Sequence, residues 1–223
     1  MNKVGNSLSV ELKMKYLDRD TLTAEEIYEE GFTEEDDYEW KVALSETWIQ
    51  ELERVIERTS YRKKPGKEEP LAIEIEGSNS KDQPAQFPSE YDMWEYFTQE
   101  LAQAVFEVSG RELPLQIQIK EITKAESSDF TIQGSFAERS AKVTRNGEEI
   151  AIPWQKLKSM IKTVFMPDYL PELAMEKEPR KRGLFFSMEE GIWYKVGHAI
   201  LEPSKKSKTL ERLEELVSEL SEL

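Results

Sequence analysis

Hydrophobic residues in this 223-residue chain recur at two different periods, and the order of those periods limits the architectures open to it. Leu8, Val10, Leu12 and Met14 alternate with polar residues, the pattern of a strand with one buried face. Leu44, Trp48, Leu52, Val55 and Ile56 instead recur every three or four positions, on one face of a helix. The start of that helix is ambiguous, because Tyr38, Trp40, Val42 and Leu44 also alternate like a strand. Met93, Trp94, Phe97, Leu101, Ala104, Val105 and Val108 form a continuous helical stripe that Gly110 closes. Period two returns at Leu115, Ile117 and Ile119, and again at Phe130 and Ile132. Asn146-Gly147, between Val143 and Ile150, signals a two-residue hairpin turn. Pro153 suits the first turn of a helix carrying Leu157, Ile161, Val164 and Phe165. The order is strand, helices, strand, helix, several strands, then helices. That is an α+β pattern, without the regular alternation of a doubly wound sheet.

Three shorter signals complete the expected elements. Thr23 and Glu26 form a capping-box pair that opens a short helix ending near Gly31. Leu71, Ile73 and Ile75 read as a short strand, and the polar stretch from Gly77 to Pro88 as a loop. Ser187 and Glu190 form a second capping-box pair, which predicts a helix through Ile192, Trp193, Val196 and Ile200. The expected organisation is a helix-rich part with a few strands over residues 1–125, and a smaller hairpin-and-helix part over 126–203. An amphipathic helix over 204–223 follows, and a single continuous domain is the alternative.

Charge is distributed unevenly. The net charge is −15, but residues 137–212 hold 15 basic and 11 acidic side chains. Residues 1–60 hold 7 basic and 16 acidic. The overall acidity argues against general binding to a phosphate backbone, which needs clustered positive charge, with the middle of the second half as the exception. The absence of cysteine removes thiolate metal sites, cysteine nucleophiles and disulfides together. No stretch approaches the length of an apolar membrane span, and no secretory leader is visible, so a cytoplasmic protein without a membrane partner is expected.

No constellation reads as an active site, and no cofactor is expected. His198 is the single histidine and stands in Gly197-His198-Ala199, where a packed or capping role is expected. Two triplets, Glu11-Leu12-Lys13 and Gln118-Ile119-Lys120, have the carboxylate-or-glutamine, spacer, lysine spacing used by metal-dependent nucleases, with Glu74 and Glu76 on another expected strand. Amphipathic strands produce such triplets by chance, so the nuclease is the third reading.

The first reading is a non-catalytic binding or regulatory protein, a subunit or antagonist in a larger complex. The run from Glu25 to Glu39 holds nine carboxylates and no basic residue, and Glu25, Glu26, Glu34 and Glu35 are the expected contacts to a basic protein partner. Leu210, Leu213, Val217 and Leu220, spaced 3, 4 and 3, offer a helical docking seam. The second reading is an accessory nucleic-acid-binding protein. It would use basic clusters in three loops and one helix: Arg62, Lys63 and Lys64 (with Lys67), Lys156, Arg180, Lys181 and Arg182, and Lys205 and Lys206.

Overall fold

The computed structural model describes residues 1–15, 21–29, 33, 37–64, 72–73, 87–189 and 191–223. It is mixed α+β, and the chain forms two compact units, Met1–Glu112 and Leu113–Leu223.

In the first unit, β1 (Asn2–Val4), β2 (Ser7–Met14) and β3 (Tyr38–Leu44) form an antiparallel sheet in that order. The β2–β3 register runs unbroken from Leu8 opposite Leu44 to Met14 opposite Tyr38. Alternation therefore carries Leu8, Val10, Val42 and Leu44 to one face, where all four are buried. The ambiguous stretch at 38–44 is thus strand, and α2 (Glu46–Glu57) starts immediately after Ser45. The short α1 (Ala24–Glu29) opens as the Thr23–Glu26 pair predicts. Gly31 and the expected strand residues Leu71 and Ile75 lie outside the described residues.

Helices α2 and α3 (Tyr91–Val108) cover the apolar face of the sheet. Trp48 is fully buried and meets Phe97 edge-to-face at 5.9 Å, and Trp94 meets the same ring at 5.7 Å. A two-residue ladder, β4 (Tyr61–Arg62) with β5 (Phe87–Pro88), ties the end of α2 to the start of α3. Trp94 Nε1 donates to Thr59 Oγ1 at 2.7 Å, which satisfies the one polar atom of a buried indole.

The second unit is built on six antiparallel strands: β6 (Leu115–Ile122), β7 (Ser127–Ser135), β8 (Ser140–Arg145), β9 (Glu148–Ile152), β11 (Gly183–Glu189) and β12 (Ile192–Lys195), in the spatial order β12-β11-β6-β7-β8-β9. A small ladder of β10 (Asp168–Tyr169) with β13 (Ile200–Leu201) stands apart from it. Asn146 (φ 49°) and Gly147 (φ 90°) both take the left-handed conformation at the β8–β9 turn, as a two-residue primed hairpin demands. Helices α4 (Trp154–Val164) and α5 (Thr209–Ser221) pack on one face of this sheet. Ile117, Ile119, Phe130, Ile132, Val143 and Phe186 meet Leu157, Met160 and Val164 from α4, and Leu213, Leu216, Val217 and Leu220 from α5, in one core.

Three sequence expectations are corrected. The expected helix opened by Ser187 and Glu190 is instead the β11–β12 hairpin, with Phe185 opposite Lys195 and Phe186 opposite Tyr194. Ser187 is a buried strand residue, not a cap. Gly191 turns the hairpin with φ 82°, and the aromatic residues of both strands suit a pleated surface bonded to the edge of β6. Next, the first part is not simply helix-rich: a three-stranded sheet organises it, and the long strand at 115–122 pairs within the second unit. Finally, Pro153 sits one position earlier than expected, as the N-cap of α4.

One packing detail yields a stability prediction. A Cβ added at Gly134 in β7 would lie 2.5 Å from Leu157 Cδ2, and Leu157 is fully buried. Gly134→Ala is expected to destabilise the protein by about 1–3 kcal/mol, the usual effect of overpacking, read from denaturant unfolding.

Candidate binding surfaces

The helical layer of the second unit carries a groove of 360 Å³ between α4 and α5. Buried Leu157, Met160 and Val164 orient α4, which leaves Lys156, Ser159 and Thr163 along its flank toward α5. From α5 come Arg212, Glu215, Leu216 and Glu219, at the same three-and-four spacing. Met160, Met166 and Leu216 supply the apolar lining, and Lys156, Lys162, Arg212, Glu215 and Glu219 supply charge. Lys156 Nζ reaches Glu219 Oε2 at 3.5 Å across the groove, and Arg212 Nη1 approaches Met166 Sδ at 3.2 Å. The Thr163 hydroxyl donates to the Ser159 carbonyl at 3.0 Å, an ordinary bond back to the helix that leaves it no activating base.

The structure separates the residues expected to dock a partner. Leu213, Val217 and Leu220 are 0%, 3% and 0% exposed within their own core, and Leu210 is half-buried beside it. The expected seam is therefore the attachment of α5 to its sheet. The flank of this helix at Arg212, Glu215 and Glu219 lines the groove instead. Glu25 and Glu26 lie on α1, where Glu25 is exposed. Glu26 closes the capping box: its Oε2 accepts from Thr23 N and Thr23 Oγ1, both at 2.8 Å, and its own N–H donates to Thr23 Oγ1 at 3.3 Å. The bond from the Thr23 backbone N–H, aided by the hydroxyl, holds this carboxyl below its ordinary range. Glu34 and Glu35 lie outside the described residues.

The basic residues divide between the units. Arg62 Nη2 donates to the Pro88 carbonyl at 2.8 Å, which makes it part of the β4–β5 junction, while Lys63 and Lys64 are exposed beyond it. Lys67 lies outside the described residues. In the second unit Arg180, Lys181 and Arg182 are exposed ahead of β11, and Lys205 and Lys206 ahead of α5. Lys156 is the member of the set that belongs to the groove. His198, expected in a packed or capping role, is exposed in the turn after β12, so it is not packed.

Both nuclease-like triplets hold their lysine in ion pairs. Lys13 lies 3.0 Å from Glu39 and 3.0 Å from Glu11, and Lys41 lies 3.0 Å from Glu11. Lys120 lies between Glu178 and, at 3.0 Å, Asp129. Glu39 chiefly raises the Lys13 ammonium above its ordinary value, and Glu178 does the same for Lys120. Each is thereby held as a cation, which is the wrong direction for a general base. Glu74 and Glu76 lie outside the described residues, among which no three His, Asp or Glu side chains gather to hold a metal. No described helix is long and apolar enough to cross a membrane. Comparison with protein-family models, with curated proteins and with solved structures found no match for this chain.

Sequence reading missed the groove because it forms between helices 44 residues or more apart in sequence, and only tertiary packing brings them side by side. The spacing of Leu157, Ile161 and Val164 marked the apolar face of α4, but nothing along the chain named α5 as its neighbour.

Proposed function

We propose that this protein is a non-catalytic binding protein that docks a protein partner through the α4–α5 groove. The observation that carries the reading is a methionine- and leucine-lined groove edged by charges of both signs. Unbranched methionines adapt to varied apolar side chains, and a groove between helices suits an amphipathic segment. Glu211, Glu214 and Glu222 continue the exposed acidic side of α5, so the favoured partner segment is basic with apolar anchors. The same carboxylates beside the groove disfavour a phosphate backbone there. This places the nucleic-acid reading second, resting on Arg180, Lys181, Arg182, Lys205 and Lys206.

A photo-crosslinking side chain at position 163 tests the groove in native lysate. One partner band is expected there, absent when the residue is placed at Lys142 on the other side of the sheet, and strongly reduced by Ser159→Arg at unchanged thermal stability. Equal labelling from both positions, or adducts made only of nucleic acid, would overturn the reading.

A further inference from the structure

Strand β3 combines two features whose joint meaning lies apart from the groove. Among the described residues it has a strand neighbour on one side only, β2, and no described strand pairs with its other edge. Edges of this kind are normally blunted by a proline, a bulge or a charge turned inward. None is found here, since Tyr38–Leu44 contains no proline and its register with β2 is unbroken. The apolar face near its start is only partly covered: Tyr38 packs on Phe106 and its hydroxyl donates to Ser109 Oγ at 2.7 Å, but its neighbours stay open. Trp40 is 44% exposed and Met14 37%, with Tyr38 stacked on Trp40 at 6.2 Å.

We propose that β3 pairs antiparallel with β3 of a second copy of this chain, about a two-fold axis through Trp40, to form a continuous six-stranded sheet. The charge pattern of the strand supports that occupant. With the axis at Trp40, Glu39 of each copy faces Lys41 of the other. On the opposite face Trp40 meets its own counterpart and Tyr38 faces Val42. Each chain already pairs Glu11 with Lys41 and Lys13 with Glu39, at 3.0 Å, on the exposed face. The dimer extends these pairs into one row of alternating sign: Glu11, Lys41, Glu39, Lys13. Neighbouring registers lose this match. An axis at Glu39 or at Lys41 sets a charge against itself, one at Tyr38 sets Glu39 against Asp37, and one at Val42 leaves Lys41 facing Ala43. Opposite charges directly across strands stabilise and like charges destabilise, so the pattern selects one register. A two-fold pairing is also closed, and this use of the edge stops at a dimer instead of growing into a fibre.

Sedimentation velocity on the full chain tests the pairing. The wild-type protein is expected to pass from monomer to dimer with rising concentration. Lys41→Glu and Glu39→Lys, each alone, put like charges across both symmetric positions and are expected to weaken the dimer about tenfold or more. Mixed one to one, the two variants restore opposite charges at every position and are expected to form a heterodimer of near wild-type affinity. A merely misfolded variant could not show this rescue. A wild-type chain that stays monomeric throughout, variants that dimerise as the wild type does, or a mixture that fails to associate would each overturn the proposal. None of these outcomes depends on the groove.

Discussion

A chain ended after Pro203 is expected to lose the folded second unit, not to survive as an intact protein lacking one helix. Leu213, Leu216, Val217 and Leu220 all enter the same core as Ile117, Ile132 and Phe186. Burying a Leu or Val side chain contributes about 1.5–3 kcal/mol, so the four together approach the roughly 5–15 kcal/mol by which a domain is stable at all. Their removal also uncovers the apolar face of the sheet across several strands, which invites aggregation. The far-UV circular dichroism of the strands and their amide protection should fall together in the truncated chain. Leu213→Ala is the graded version, expected to cost about 2–5 kcal/mol because the residue is fully enclosed. Ser218→Ala, on the exposed side of the same helix, should stay within about 0.5 kcal/mol of wild type. A truncated chain that unfolds cooperatively at the wild-type temperature would show that α5 is an appendage, and the seam at Leu213, Val217 and Leu220 would again be available to a partner.

That distinction marks where sequence reading stops. The 3, 4, 3 spacing of α5 established an amphipathic helix, and one exists. Spacing says that a face is apolar, not what covers it, and the choice between its own sheet and a partner is tertiary. The same holds at 187–200, where a capping-box pair predicted a helix despite two glycines. The edge of β6 accepted a strand there instead, because Phe185, Phe186, Trp193 and Tyr194 pair and pack better as a hairpin on an existing sheet. Local signals succeeded where the physics is itself local. The Thr23–Glu26 box, the Asn146-Gly147 turn, and the strand 8–14 are each decided within a few residues. Apart from Lys13 with Glu11, the ion pairs that hold the lysines of the nuclease-like triplets are cross-strand or long-range, as with Lys120 and Glu178, and were not legible.

Glu202 is the long-range case with the clearest consequence, and its removal is expected to make the stability of the second unit less dependent on acid. Helix α5 begins after Lys208, which offers no side-chain cap. The first N–H groups of the helix would then lack acceptors, a deficit that a helix start must meet from elsewhere. Glu202, ahead of the helix, meets it. Its Oε2 accepts from Thr209 N at 2.9 Å, Thr209 Oγ1 at 2.6 Å and Ser207 Oγ at 2.7 Å, and its Oε1 accepts from Leu210 N at 3.1 Å. The hydroxyl bonds from Thr209 and then Ser207, with the helix N–H groups behind them, pull this carboxyl from the ordinary 4.5 to about 2. The buried hydroxyl of Thr209 finds its partner in the same carboxylate. A carboxyl depressed in the folded state stabilises fully above its unfolded value, and that contribution is lost as pH falls from about 4.5 toward 2. Glu202→Gln keeps the shape but removes the charge that draws these donors together. It should melt below wild type at neutral pH, and the two melting temperatures should converge as pH falls through that window. The other carboxylates titrate alike in both proteins and cancel in the difference. Melting curves that stay parallel from neutral pH down to about 2 would show that the capping charge contributes nothing, and α5 would have to be held by its core contacts and by Arg145, which grips the Ser221 carbonyl at its far end.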